Sequence, residues 1–476
     1  MSYPSRRTFL GCVGAGVLAG PARAARPVPT TIAGDLNALA ELVRTTSRAD
    51  LLPKAVELHR SGTHWRDLLG AAFLAGIRDV EPHPVGFQFH CVLVTSSAFQ
   101  LAEGSPEPDR LAAALYNLDD FKLSQKVDER DGDWTLPPAP AVADLDARKA
   151  TVALTEALTA WDRDAADRAA TTLARCGSLD DAFEPLWWFG MRDFTNIGHN
   201  PIFVAQAHRT LQQIGWRFGE DVMRSLVRGL LDGSAGAADD AFVANLERCA
   251  ALRLPADGKP SAKARDELLA GLRHVDADRA ASGLAELLRG GLALESALDG
   301  LRLFAAEQIW RDPGVLAVHA LTSLNALRYA AAHARTQRTQ AMALLQAASW
   351  LVAYREFLSQ RGGYDAEAPG IDAIEAAEGE PPAQAVFAAA AGGAKGAAGL
   401  ALAAARKGTG GIEADVRSTC LRKVHEHHDF KFAAALLEEM GAAAADVAPR
   451  LFAASLGYLR KPSDADHALW KQMAAH

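Results

Sequence analysis

Fourteen histidines occur among the 476 residues, and those best placed to do chemistry lie on four stretches in which apolar residues recur at helical spacing. The first is His83-Pro84-Val85-Gly86-Phe87-Gln88-Phe89-His90, where a separation of seven would put His83 and His90 on one side of a helix. The second, Gly198-His199-Asn200-Pro201-Ile202, leads into a helix that also carries His208 and Arg209. The third is Val318-His319-Ala320-Leu321-Thr322, with Arg328 further on. In the fourth, His425-Glu426-His427-His428-Asp429-Phe430-Lys431, His425 and His428 would share a face, with Lys431 one turn beyond His427 and His428.

An imidazole on an apolar helix is costly unless something partners it, and helical bundles build cofactor sites from side chains that face inward from several helices. Any one of these histidines alone reads as a hydrogen-bonded core residue. Taken as a set, His90, His199, His319 and His428 are expected to line one shared cavity. There they would hold a transition metal ion, since neutral imidazole suits iron, copper and zinc, or act as general acid and base. Lys431 or Arg328 would stabilise negative charge developing on a substrate oxygen. Trp187-Trp188-Phe189 is dense in aromatics and reads as a wall against which a flat organic ligand would lie. Asp119-Asp120 could add a carboxylate ligand, although a solvated helix face explains the pair better. Asp128-Glu129-Arg130-Asp131-Gly132-Asp133 lacks the twelve-residue spacing and closing glutamate of a calcium loop. The sequence contains no Gly-x-Gly-x-x-Gly after a strand, no phosphate-binding Gly-x-x-x-x-Gly-Lys-Ser/Thr, no Gly-x-Ser-x-Gly and no His-Glu-x-x-His.

The elements that must carry these residues are helices. Alanine and leucine dominate, apolar residues repeat at three and four, and alternating β-branched runs are scarce, so the expected class is all-α, a multi-helical bundle or helical-hairpin array with an internal pocket. About fifteen to twenty helices follow from typical helix and loop lengths. Pro84, Pro201 and Pro313 are placed as first-turn prolines, with Asp312 as a capping carboxylate before the apolar run Val315 to Ala332. The Ala/Gly-rich stretch Ala388 to Ala405 keeps helical spacing and reads as buried helix, and no long linker divides the chain. Residues 25–476 are therefore expected to form a single domain, without the fixed period of a solenoid.

Residues 1–24 read differently. Ser5-Arg6-Arg7-Thr8-Phe9-Leu10 sets paired arginines before a short apolar stretch, and Ala22-Arg23-Ala24 is a small-x-small cleavage site. This is the layout of a twin-arginine export signal, which implies handling by the twin-arginine machinery and a periplasmic or extracellular destination. The apolar stretch is far shorter than the roughly 20 residues a membrane-spanning helix needs, so no permanent anchor is expected. Loss of these residues takes away three arginines and no carboxylate, moving the formal charge from −8 to −11, which disfavours nucleic-acid partners. Cys91, Cys176, Cys249 and Cys420 are widely spaced and lack any Cys-x-x-Cys, so they read as small buried hydrophobes.

At the same histidines the sequence resembles the questin oxidase-like family. The matching blocks are His90 before Ala98-Phe99-Gln100-Leu101, His199 with Pro201-Ile202, Val318-His319-Ala320-Leu321-Thr322 through Ala326-Leu327-Arg328, and His428-Asp429-Phe430-Lys431. The resemblance implies an oxygen-dependent, ring-opening oxidase of anthraquinone-like molecules that uses NADPH. Leu118 to Pro137, His425 and His427 have no counterpart in that pattern, and reduced nicotinamide is not freely supplied outside the cytoplasm. An exported relative would thus draw electrons from another source or need none. The expected function is an exported oxidase or oxygenase acting on an aromatic or polyketide-type small molecule; the alternative is a non-enzymatic helical protein that sequesters a metal or organic ligand. Replacing Arg6 and Arg7 together by lysine should leave uncleaved precursor in the cytoplasm, whereas unchanged export and cleavage after Ala24 in a cell-fractionation assay would rule out the twin-arginine route.

Overall fold

Alanine- and leucine-rich segments form helices throughout the described residues. The computed structural model describes residues 35–474 except 108, 144, 195, 196, 234, 235, 237 and 407, and for residues 472–474 the backbone alone; residues 1–24, which read as an export signal in sequence, lie outside the described residues. Among those described there are 23 α-helices and no strand, with an isolated bridge between Lys259 and Leu292. None of these helices is long and apolar enough to cross a membrane. The helix number exceeds the expected fifteen to twenty because backbone breaks divide runs that look continuous by periodicity. Gly393, at φ +153, separates Ala383–Gly392 from Ala394–Ala405 within the Ala/Gly-rich stretch.

Three local expectations are corrected, each by the chemistry of a helix start. Pro82 and Pro84 bar Glu81 and His83 from helical geometry, so the chain reaches a helix only through the 3-10 turn Phe87–Phe89 and begins His90–Leu93 at His90 itself. His83 thus shares no helix face with His90; it pairs instead with Asp232. Pro313 likewise holds Asp312 extended, at φ −143 and ψ 91, where it ends Leu294–Arg311, and Val315–His333 starts after Gly314 without a side-chain cap. The last histidine helix begins at His427, leaving His425 exposed in the preceding turn. Its N-cap is Glu426, whose carboxylate and that of Asp429 close a capping box.

Val315–His333 is buried almost all round, as an apolar helix at the centre of a fold should be. It forms an antiparallel hairpin with Gln337–Ser359 and packs against His199–Ile214, Leu294–Arg311 and His427–Ala442. Thr95–Ala102 and the short His90–Leu93 helix close the remaining side, against His199–Ile214 and His427–Ala442. One glycine is required by this packing. Gly198 has φ +75, and a Cβ there would lie 2.6 Å from the Ser323 Cβ and 2.9 Å from the Tyr354 hydroxyl. That hydroxyl donates to the Ile197 carbonyl at 2.7 Å, so the chain is pressed onto the central helix just where His199 begins its own.

A buried ion network ties four of these helices together. Glu439, with no exposed surface, accepts from Arg302 Nε at 2.8 Å, Arg328 Nε at 2.7 Å and Asn325 Nδ2 at 2.7 Å. Arg209 donates to Asn325 Oδ1 and to Glu438, each at 3.0 Å. Removing one member of such a set strands the others' charges in the interior. Glu439→Ala should therefore cost about 3–5 kcal/mol of unfolding free energy, measured by urea denaturation with the wild type alongside; a loss under 1 kcal/mol would show that the network is dispensable.

Candidate metal centre

Each histidine of the set comes from a different element. His90 opens His90–Leu93, His199 opens His199–Ile214, His319 lies in the second turn of Val315–His333, and His428 is second in His427–Ala442. The structure brings all four together and adds a fifth, His427. Ring centroids are 5.2 Å apart for His90 and His199, 4.7 Å for His199 and His319, 5.1 Å for His319 and His428, and 4.9 Å for His90 and His428. His427 lies 4.3 Å from His90 and 4.8 Å from His428. Two buried groups, His199 with His319 and His428, and His90 with His427 and His428, have nitrogens close enough to hold an ion.

The hydrogen bonds fix which nitrogen faces the centre. His90 Nδ1 donates to the Gly86 carbonyl at 2.9 Å and His319 Nδ1 to the Val315 carbonyl at 2.8 Å, since a carbonyl can only accept. Both Nε2 atoms consequently carry bare lone pairs, and each lies 3.3 Å from His199 Nε2. A proton on His199 Nε2 can satisfy one of these neighbours and not the other. A tetrahedral ion with metal–nitrogen bonds of about 2.0–2.1 Å needs ligand nitrogens about 3.3–3.4 Å apart; the His90–His199 and His199–His319 contacts have that spacing, while the sets whose nitrogens all lie close together are His199 with His319 and His428, and His90 with His427 and His428. The donor set thus fits a transition metal, and neutral imidazoles are what such an ion requires.

Around the imidazoles stand groups that orient or charge the site. His428 Nδ1 donates to Glu426 Oε2 at 2.7 Å, the carboxylate–histidine pairing that fixes a metal ligand's tautomer, and the Tyr458 hydroxyl bonds Glu426 Oε1 at 3.2 Å. Burial opposes ionisation of Glu426, but the hydrogen bond and charge of His428 outweigh it and hold its pKa down to about 2. Asp120 approaches His427 Nδ1 at 4.0 Å; burial, helped by neighbouring Asp119, raises its pKa to about 7. Lys431 is buried with no hydrogen-bond partner on Nζ, and burial pushes its pKa down to about 7 against the pull of Glu426 and Asp120. Beside Lys431 lies a cavity of about 10 Å³ that reaches Ser97, Gln206, Arg209 and Thr322, space for about one water.

The other expected site residues do not join the cluster. Arg328 is held by Glu438 and by Glu439 at 2.7 Å. Trp187 packs against Phe183, His208 and Tyr329, and Trp188 against Phe242 and Arg338. Sequence reasoning passed over Glu426, Tyr458 and the place of His427 in the cluster. A signal for Glu426 was present in its spacing of three from Asp429 at the helix start, but nothing along the chain marks Tyr458. Among the described cysteines, Cys91, Cys249 and Cys420 are buried, as expected of small hydrophobes. No family model, no curated protein and no solved structure matches the chain.

Burial, with neighbouring Lys431 and the other imidazoles adding to it, drives the pKa values of His90 and His319 well below 6.5; His427 falls to about 3. His208, outside the cluster, also falls to about 3 through burial and the charges of His333 and Arg209. In the metal-free protein these rings stay neutral when folded, while the unfolded chain takes up protons below about pH 6.5. Stability is therefore full above that pH and is lost as pH falls through it, by about 1.4 kcal/mol per pH unit for each such histidine. Thermal melts of metal-free protein should show a steep fall in Tm between pH 7 and 5; a flat profile would mean that the rings are charged in the fold.

Proposed function

We propose that the chain is an exported oxidase or oxygenase of the questin oxidase-like kind, acting on an aromatic or polyketide-type small molecule at a metal ion held by His90, His199, His319 and His428. The observation that carries this reading is the pair of 3.3 Å contacts among three Nε2 atoms, two of them deprotonated by their backbone bonds. Hydrogen bonding alone leaves one contact repulsive, and a cation bound at His199 with His319 and His428, or at His90 with His427 and His428, would relieve it. A bound redox-active ion would supply oxygen activation and Lewis acidity.

The chain's own groups supply the rest. Glu426 orients His428 and keeps its Nε2 free of a proton. Lys431 and Asp120, both with pKa values near 7, can hold or release a proton beside the centre at neutral pH. Arg328 is neutralised by its two glutamates and is not assigned to oxyanion stabilisation. Nothing in the sequence provides a dinucleotide fold, so electrons are assigned to the substrate itself and not to NADPH.

The small size of the cavity beside Lys431, about 10 Å³, favours the second reading, a protein that sequesters a metal without turnover. Elemental analysis and oxygen uptake separate the two. The oxidase reading expects about one iron or copper per chain and oxygen consumption with hydroxylated quinones; zinc, or any metal without uptake, selects the sequestering protein, and no metal removes both. His319→Ala and His428→Ala should each lower metal affinity at least tenfold, a larger effect than their change in thermal stability.

A further inference from the structure

The centre has a floor and a mouth. His199, His319 and Lys431 are each no more than 2% exposed, whereas the side chains of His427 and Glu426 are 11% and 26% exposed. Next to this more open side stands Phe87, at 68% the most exposed of the large apolar residues. Its ring lies 5.7 Å from that of His90 at an angle of 21°, 5.8 Å from His427, and 6.2 Å edge-on from His428. Phe87 therefore rests on three of the site's imidazoles and turns the remainder of its ring to solvent.

The ring is held there by its backbone. Pro82 and Pro84 stiffen the approach, His83 is paired with Asp232, and the Glu81 N–H donates to Asp128 Oδ1 at 2.8 Å. On the far side Phe89 is buried edge-on against Phe203, with centroids 4.9 Å apart. His90, which follows directly, is locked to the Gly86 carbonyl. A segment pinned on both flanks thus presents a flat apolar face beside the open edge of the imidazole cluster, and the chemistry that recognises such a face is another planar conjugated ring.

We propose that Phe87 is the specificity-determining residue of the centre: a platform at its mouth on which a planar aromatic molecule stacks while its polar atoms reach the imidazoles. This inference rests on the metal-centre reading above. It replaces Trp187 and Trp188, which pack away from the cluster, as the aromatic surface for a ligand.

The test uses full-length mature protein loaded with cobalt(II), whose visible bands report ligands that reach the ion, and two probes. Azide reports the ion alone, and 4-nitrocatechol adds an aromatic ring to a chelating pair of oxygens. Phe87→Ala should weaken 4-nitrocatechol about threefold to tenfold while azide affinity stays within about twofold, and Phe87→Trp should restore nitrocatechol binding. Unchanged nitrocatechol affinity in Phe87→Ala would place the mouth elsewhere and overturn the proposal. Equal weakening of both probes would overturn it too, by showing that Phe87 merely supports the imidazoles. If wild-type protein retains no cobalt or shows no azide band, the metal reading itself is what fails, and the platform falls with it.

Discussion

The arrangement depends on Glu439. It lies on the same helix as His428, and the groups that bind it lie on the helix of His319 and on Leu294–Arg311, while adjacent Glu438 takes Arg209 from the helix of His199. Alanine-rich helices have smooth surfaces, and apolar contact between them is tolerant of sliding along the axis. A buried carboxylate with three fixed donors is not tolerant, because a shift of one turn, about 5.4 Å, would leave charges unpaired in the interior. The ion network therefore sets helix register, and the imidazoles about ten residues away inherit it. Arg328 belongs to this role, which explains why a cation near the site is not part of its chemistry.

Given that register, backbone carbonyls finish the orientation. His90 and His319 each bond a carbonyl four residues earlier in the chain, the acceptor that local geometry offers. The imidazoles are neutral but the potential around them is not uniform: Glu426 stands at the more exposed side and Lys431 at the buried side, where Glu426 and Asp120 act on it. An incoming cation would meet a carboxylate at the more open edge and a lysine at the floor, which favours approach from the edge.

Helical class was legible because periodicity and composition agree along nearly every segment. The identity of the cluster was legible in part: apolar surroundings singled out His90, His199, His319 and His428, but spacing within one helix was the wrong guide for His83 and His425. Both stand just outside a helix, excluded by Pro84 in one case and by the Glu426 cap in the other. The aromatic pair Trp187-Trp188 was conspicuous for density, yet a helix points adjacent residues about 100° apart, and each found its own packing partners. Phe87 touches His427 and His428, and Tyr458 bonds Glu426, all far away in sequence, and such contacts leave no periodic trace.

Glu426 ends one structure and begins another. Its carboxylate bonds the first turn of His427–Ala442 and also holds the ring of His428. Fraying of that helix end would therefore loosen the ring of His428 at the same time, because one carboxylate serves both. The start of the helix and the orientation of an imidazole in the cluster are coupled through Glu426, a link that neither the capping nor the histidine contact shows when taken alone.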